Sequence, residues 1–270
     1  MDGPDRLRRL RHIVRDMDEV AIAYSGGVDS TLLLRIAREE LGGGASAIVC
    51  STDLMASEEV LEAVKTARKL GVAAKTVKVD LLAYPEIARN SPDRCYHCKK
   101  VIFQEITRSA ASMGLKTVAD GTHSGDLDGD RPGMRALHEL GVRSPLAEAG
   151  MSKDDIRRAS LALGLPTTAK PASPCLATRI PYGEAITPEK LRSVDEAERL
   201  LRDLGYGVVR VRHHGAVARV EVEPRFLARA MEDREIISSG LKSLGFTYAT
   251  LDLDGFRSGS MSEAVHSIKE

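Results

Sequence analysis

Tyr24-Ser25-Gly26-Gly27-Val28-Asp29-Ser30-Thr31 is the stretch that decides the fold. An apolar run, Val20-Ala21-Ile22-Ala23, leads into it, and a helical pattern follows with Leu32, Leu33, Leu34, Ile36, Ala37 and Leu41. Strand, glycine turn and helix start together aim backbone N–H groups at an anion. Gly26 and Gly27 allow a tight turn and a close approach of phosphate oxygens, and Ser25 and Ser30 add hydroxyl donors. No Gly-Lys-Ser/Thr follows, so this is not a Walker A loop.

Outward from this loop the chain alternates strand and helix. Leu7, Leu10 and Val14, with Ile13 beside them, predict an amphipathic helix in residues 1–17. Gly42-Gly43-Gly44 ends the helix after the loop, and Ala45 to Cys50 reads as a buried strand. A helix from Ser57 to Leu70 follows, with Ser57 as its expected cap. Thr76–Val79 and Thr117–Ala119 read as further strands, with a proline-bearing loop from Tyr84 to Arg94 and a helix from about Lys99 to Met113 between them. Ser152 starts another helix, closed by Gly164. This rhythm predicts an α/β fold with a doubly wound parallel sheet.

Beyond it lie five prolines, at 166, 171, 174, 181 and 188. They mark a linker and active-site loop. A helix from Glu189 to Leu204 and alternating runs at Val208–Arg212 and Val217–Val222 follow, with His213-His214-Gly215 as the expected hairpin turn. A last strand over Tyr248–Leu253 completes a smaller C-terminal α+β domain. The expected division is 1–170, 171–187 for the linker loop, and 188–270.

Composition narrows the function classes. Thirty-nine basic and thirty-nine acidic side chains cancel, which argues against a large nucleic-acid surface. Aromatics are 4% and Trp is absent, so a base-stacking platform is poorly supported. No run is long and apolar enough to span a bilayer, and the charged start does not read as a signal peptide. The expected location is the cytoplasm, where four cysteines suggest ligands or reactive thiols. Cys95-Tyr96-His97-Cys98 reads as half a zinc site, a redox pair or part of a cluster. Cys50, at the end of a buried strand, reads as a core residue. Cys175, after a proline, four residues before Arg179 and in an open loop, reads as a reactive thiol. Three cysteines with one open coordination position would suit a [4Fe-4S] cluster that binds a further sulfur.

The Ser-Gly-Gly-Val-Asp-Ser segment resembles the pyrophosphatase loop (PP-loop) of enzymes that split ATP into AMP and pyrophosphate. Three further motifs follow in order: Asp120-Gly121-Thr122-His123 with Arg131-Pro132-Gly133; Cys175-Leu176-Ala177-Thr178-Arg179-Ile180-Pro181-Tyr182-Gly183; and Leu251-Asp252-Leu253-Asp254-Gly255-Phe256-Arg257-Ser258-Gly259-Ser260. Together they resemble the LarE family, the ATP-dependent sulfur transferases of nickel-pincer nucleotide cofactor biosynthesis, over nearly the whole chain. The resemblance implies adenylylation of a carboxylate of pyridinium-3,5-biscarboxylic acid mononucleotide and its conversion to a thiocarboxylate. It implies ATP held by Ser25, Gly26, Gly27, Asp29, Ser30, Gly121, Thr122 and Asp126, with Asp29 helping to place Mg²⁺. It also implies a [4Fe-4S] cluster on Cys95, Cys98 and Cys175 that carries sulfide, rather than sacrifice of a single cysteine, and places acidic Glu198 near the reactive Cys175.

Arg210 and Arg212 are two apart on a predicted strand and so share a face, which suits a phosphate. The resemblance makes them anchors for the substrate's 5′-phosphate, joined by Arg179, Arg257, Ser258 and Ser260. His213 and His214 read as turn residues rather than ligands. Where family members commonly carry Asn and paired aspartates, this chain has His123, with Gly125 in place of one Asp and Asp126 retained. Thr178 stands where serine is usual, preserving a hydroxyl. Expected partners are the mononucleotide, sulfide or a sulfur-donor protein, and further copies of the chain, with neither membrane nor nucleic acid. The rival readings are a tRNA thiolation enzyme with a three-cysteine cluster, an amidating ligase of the same superfamily, and a zinc-stabilised nucleotide-binding module.

Overall fold

The computed structural model describes residues 3–127, 132–171, 173–257 and 261. Ser258 and Ser260 of the expected phosphate loop, and Arg131, lie outside the described residues. The chain forms two compact units: residues 1–81 with 93–173, and residues 82–92 with 174–270.

In chain order the first half runs α1 (Gly3–Arg15), β1 (Val20–Ala23), α2 (Val28–Leu41), β2 (Ala45–Thr52), α3 (Ser57–Lys69), β3 (Ala74–Val79), α4 (Pro85–Ala88), α5 (Arg94–Ser112), β4 (Val118–Ala119), α6 (Pro132–Glu139), α7 (Pro145–Glu148) and α8 (Lys153–Ala162). All of these but α4 belong to the first unit. Its four strands are parallel in the order β3-β2-β1-β4, with Val20 opposite Ala45, Ala47 opposite Ala74 and Ala21 opposite Val118.

The period of two along β1 and β2 builds two cores. Val20, Ile22, Ala47 and Val49 pack with Leu10, Val14, Leu32, Leu33, Ile36, Ala63 and Ile156 from α1, α2, α3 and α8. Ala21 and Ile48 point the other way and pack with Phe103, Ile106, Ala110 and Leu137 from α5 and α6. Helices thus cover both faces, the doubly wound arrangement the alternation predicts. Leu10, Leu32, Leu33, Leu34 and Ile36 are fully buried, each worth about 1.5–3 kcal/mol against exposure. The order in which strands are added reverses between β1 and β4, the place where such sheets open a crevice at their carboxyl ends.

The second unit continues with α9 (Pro188–Asp203), β5 (Val209–His214), β6 (Val217–Val222), α10 (Leu227–Glu232), α11 (Arg234–Ser243) and β7 (Tyr248–Leu251). Strands β5 and β6 pair antiparallel, and β7 joins β6 in parallel. Val209, Val211, Val220 and Val222 pack with Leu201, Ile237, Leu241 and Phe246. Thr187 caps α9 by accepting from the Lys190 amide at 3.3 Å, with Pro188 at the first turn. No helix among the described residues is long and apolar enough to cross a membrane.

Four local expectations change. Ser57 is not the cap of α3 but its first residue, and Ala56 holds the cap position with no side-chain cap bond. Cys95 and Cys98 are not in a loop: α5 begins at Arg94, and the amides of Tyr96 and His97 already bond to the Asp93 carbonyl. The first turn lacks an apolar period because its buried anchor is Arg94, at 2% exposure. The segment from Tyr84 is not all loop but holds α4. Fully buried Asn90, in the left-handed region at φ 57°, donates to the carbonyls of Ile180 and Pro181. His213 and His214 are not the turn. They end β5, and the turn is Gly215-Ala216, with Gly215 at φ 60°.

His213 Nδ1 and His214 Nε2 are buried without a hydrogen-bond partner in the structure. Burial lowers both histidine pKa values, helped by Lys190 for His213 and by Arg219 for His214. Their folded-state pKa lies below the unfolded one, so the stability they permit is present above about pH 6.5 and is lost as pH falls below it. Urea denaturation between pH 5 and 7.5 should show that loss, and His213→Gln should flatten it.

Candidate functional site

The glycine loop sits at the crevice. Gly26 adopts φ +72°, and a Cβ there would stand 2.9 Å from the Ala63 Cβ. Gly27 occupies the cap position of α2 without any side-chain cap, so the first amides of that helix have no intrahelical acceptor. The loop is braced from inside: Ser25 Oγ lies 3.1 Å from Ser30 Oγ, which also takes the Ser25 amide and donates to the Gly27 carbonyl at 3.3 Å. Tyr24 and Thr31 hydroxyls meet at 3.1 Å beneath it. Uncapped amides and hydroxyls at a helix start make an anion site.

The end of β4 presses onto this loop. A Cβ on Gly121 would lie 2.9 Å from the Ser30 nitrogen, so only glycine fits without displacement. Buried Asp120 accepts from the Thr122 amide at 3.2 Å, from the Thr122 hydroxyl, and from Ser144 Oγ at 2.7 Å. Thr122 therefore braces the turn through Asp120. Asp126 accepts from the His123 amide at 3.2 Å, and His123 Nε2 lies 3.5 Å from the same carboxylate oxygen. The His123 ring covers Gly125, where a Cβ would stand 3.3 Å from Cε1, so the two departures from the common motif are sterically matched.

Two lysines that sequence reasoning missed complete this end of the sheet. Lys153 Nζ lies 2.6 Å from both oxygens of Asp29. Lys170 Nζ lies 3.4 Å from the Gly26 carbonyl and 3.5 Å from Glu62. Their separations of 124 and 144 positions from these partners leave no local signal to find.

In the second unit, Cys175 starts a short 3-10 turn, Leu176–Arg179. Its carbonyl accepts from the Thr178 amide at 3.0 Å, Thr178 Oγ1 at 2.8 Å and Arg179 Nη1 at 3.0 Å. Arg179, 2% exposed, also donates to the Pro174 carbonyl and forms a paired bridge to Glu198, Nε to Oε1 at 2.8 Å and Nη2 to Oε2 at 2.9 Å. Glu198 takes the Val211 amide as well, at 3.2 Å. Arg179 and Glu198 thus tie the cysteine turn to α9 and β5.

Arg212 forms a second paired bridge, to fully buried Glu221 at 3.0 and 2.7 Å, and donates to the Thr178 carbonyl at 3.1 Å. Arg210 donates to the Val209 carbonyl and stacks 5.3 Å from the Phe256 ring. Its pKa is pushed down to about 10, first by burial and then by the neighbouring Arg179 charge. An anion arriving there would relieve the repulsion between like charges. Arg257 is paired with Asp252 and Asp254 at the edge of this cluster.

The thiols differ sharply. Burial pushes Cys50 up to about 12, which leaves it a protonated core residue. Cys95 is exposed, and Cys98 and Cys175 are half-buried. Cys95 and Cys98, at i and i+3 on α5, share a helix face in the first unit, and Cys175 belongs to the second. Within either unit, no group of three His, Cys, Asp or Glu among the described residues is arranged to hold a metal ion.

Two substitutions test these braces. Gly121→Ala should cost about 1–3 kcal/mol through overpacking against Ser30. Glu198→Ala should cost about 3–5 kcal/mol by leaving the Arg179 charge buried and uncompensated. Urea denaturation of each variant measures both.

No family model matches the chain. It is 40% identical over 96% of its length to an uncharacterized protein of Synechocystis, covering 98% of that relative. It is 38% identical over 93% of its length to the pyridinium-3,5-bisthiocarboxylic acid mononucleotide synthase of Lactiplantibacillus plantarum, covering 92% of it. A more distant likeness, 25% identity over 73% of the chain, links it to one component of the glutamine-hydrolyzing GMP synthase of Archaeoglobus fulgidus, of which it covers 68%. With the glycine loop at the sheet's switch point and a full-length match of this extent, the chain belongs to the family of pyridinium-3,5-bisthiocarboxylic acid mononucleotide synthases.

Proposed function

We propose that the chain is an ATP-dependent sulfur transferase of nickel-pincer nucleotide cofactor biosynthesis. It adenylylates a carboxylate of pyridinium-3,5-biscarboxylic acid mononucleotide and converts it to a thiocarboxylate. The observation that carries this reading is the uncapped PP-loop at the crevice of the parallel sheet, in a chain that matches a pyridinium-3,5-bisthiocarboxylic acid mononucleotide synthase over 93% of its length.

Ser25, Gly26, Gly27 and Ser30 hold the triphosphate through backbone amides and hydroxyls, and Gly121 lets β4 close against them. Asp29 and Asp126 supply carboxylates for Mg²⁺, which offsets phosphate charge when bound. The substrate carboxylate oxygen attacks the α-phosphorus, the bond to the bridging oxygen breaks, and pyrophosphate leaves. Hydrosulfide then attacks the acyl carbon of the adenylate and AMP leaves, so each cycle consumes one ATP and one sulfide. The fixed amide donors meet charge as it develops and need little reorganisation.

Arg210 receives the substrate's 5′-phosphate. Arg212 and Arg179, each in a paired bridge, hold the Cys175 turn and add positive charge beside Arg210, with Arg257 paired to Asp252. Glu198 holds Arg179 and through it the backbone of the reactive cysteine. Cys95, Cys98 and Cys175 would hold a [4Fe-4S] cluster through three thiolates and leave one iron free to take a further sulfur, while Cys50 stays protonated among apolar neighbours. Bound there, the cluster supplies a place for exogenous sulfide, which leaves the polypeptide intact after each turnover.

Incubation with ATP, sulfide and the biscarboxylate mononucleotide should release AMP and pyrophosphate and form the thiocarboxylate; release without sulfur incorporation overturns the reading. Anaerobic reconstitution should give about four iron and four sulfide per chain, a content that Cys95→Ala loses. One zinc and no iron would assign the thiols to a structural site. Arg210→Ala should raise KM for the mononucleotide about 10–100-fold, as loss of a charged hydrogen bond requires, and leave KM for ATP within a factor of about two.

A further inference from the structure

Lys153 and Asp29 carry an inference that deepens the proposed function and rests on the PP-loop binding ATP. Asp29 sits in the first turn of α2, where a carboxylate is favoured by the same helix end that would receive the triphosphate. Two anionic groups at one helix start repel each other, so a cation must stand between them. In the structure the cation at Asp29 is Lys153, with its ammonium 2.6 Å from each carboxylate oxygen.

The backbone behind Lys153 is firmly placed. It is the first residue of α8, after a Ser152 cap that accepts from the Asp155 amide at 3.2 Å while Asp155 takes the Ser152 amide at 3.0 Å. Asp155 is buried, held by Arg6 and Arg158 at 2.6 Å each, and its carboxyl lies well below the usual range because of Ser152 and those guanidiniums, against its burial. Met151, two residues earlier, accepts from the Ser124 amide and hydroxyl at 3.0 and 2.8 Å. The side chain of Lys153 reaches out from that frame, and the pair it makes is part-buried, 35% and 26% exposed. Solvent that still reaches such a pair screens it, so it is weaker than a fully buried one and can exchange partners.

We infer that Lys153 and Asp29 form an exchange pair. Without nucleotide they neutralise each other. When metal and ATP arrive together, the metal takes the Asp29 carboxylate and the Lys153 ammonium moves onto the phosphates. Lys170, against the Gly26 carbonyl, is the second ammonium at the same loop. Metal and polyphosphate then bind with positive coupling, because each releases the residue that the other needs.

Equilibrium binding to the full chain tests this with Mn²⁺ alone, pyrophosphate without metal, and Mn²⁺ with ATP. Lys153→Gln should bind Mn²⁺ alone about tenfold tighter than wild type and bind metal-free pyrophosphate about tenfold weaker. Asp29→Asn should do the reverse, losing Mn²⁺ and gaining pyrophosphate affinity. Lys153→Arg should keep the pyrophosphate affinity, which separates a charge effect from misfolding. If Lys153→Gln loses pyrophosphate and gains no affinity for Mn²⁺, the exchange is overturned while nucleotide binding stands. If the wild-type chain binds neither ATP nor pyrophosphate, the proposed function fails and the exchange with it.

Discussion

The contact between Gly121 and the Ser30 amide is the constraint from which the first unit's chemistry follows. A parallel sheet places the carboxyl ends of β1 and β4 side by side, but ordinary side chains would hold the loops that leave them apart. A missing Cβ at Gly121 removes the obstacle, and Gly26 does the same against Ala63 on the other side. The glycine loop is therefore clamped between α3 and the β4 turn, and its amides are aimed before any ligand arrives. Asp120 serves that geometry. Its three donors, from Thr122 and Ser144, hold the turn so that Gly121 cannot back away.

The second unit solves a different problem with charge. Among its described residues it buries three arginines and two glutamates, at exposures of 9% or less, where unpaired charge would be costly. Two paired bridges, Arg179 with Glu198 and Arg212 with Glu221, absorb that cost, and both reach the segment from Pro174 to Thr178. The cysteine turn buries Leu176 and Ala177, and these donors fix its backbone carbonyls. Arg210 lies among them under electrostatic pressure from Arg179, the kind of site that a phosphate relieves.

Much of the fold was legible in the sequence because it rests on period and punctuation. Val20–Ala23 and Ala45–Cys50 alternate between two cores, Gly42-Gly43-Gly44 stops α2, and Pro188 opens α9. What stayed hidden depends on buried polar groups and distant partners. The start of α5 was displaced because its inward residue is Arg94 rather than an aliphatic one. The Tyr84–Arg94 stretch looked like a loop because nothing local announces that Asn90 will bond to carbonyls some 90 positions ahead. At the site, the residue types were readable but their engagements were not. Arg210 and Arg212 look equivalent two apart on a strand, yet one faces Glu221 and the other lies over Phe256. Lys153 becomes visible only once α8 brings it to Asp29 on α2, and Lys170 only once its segment meets Gly26 and Glu62.

The excursion from Leu82 to Pro92 has a consequence for how the protein is made. The chain leaves the first unit, contributes α4 and Asn90 to the second, and returns before α5. As synthesis proceeds from the amino end, this stretch emerges long before Ile180 and Pro181, the carbonyls that Asn90 serves. The growing polypeptide therefore carries this peninsula before the carbonyls that Asn90 serves have been made. A cut at residue 173 would leave that peninsula stranded on one fragment and its berth on the other, so neither half can be lifted out as a clean module even though each has its own core.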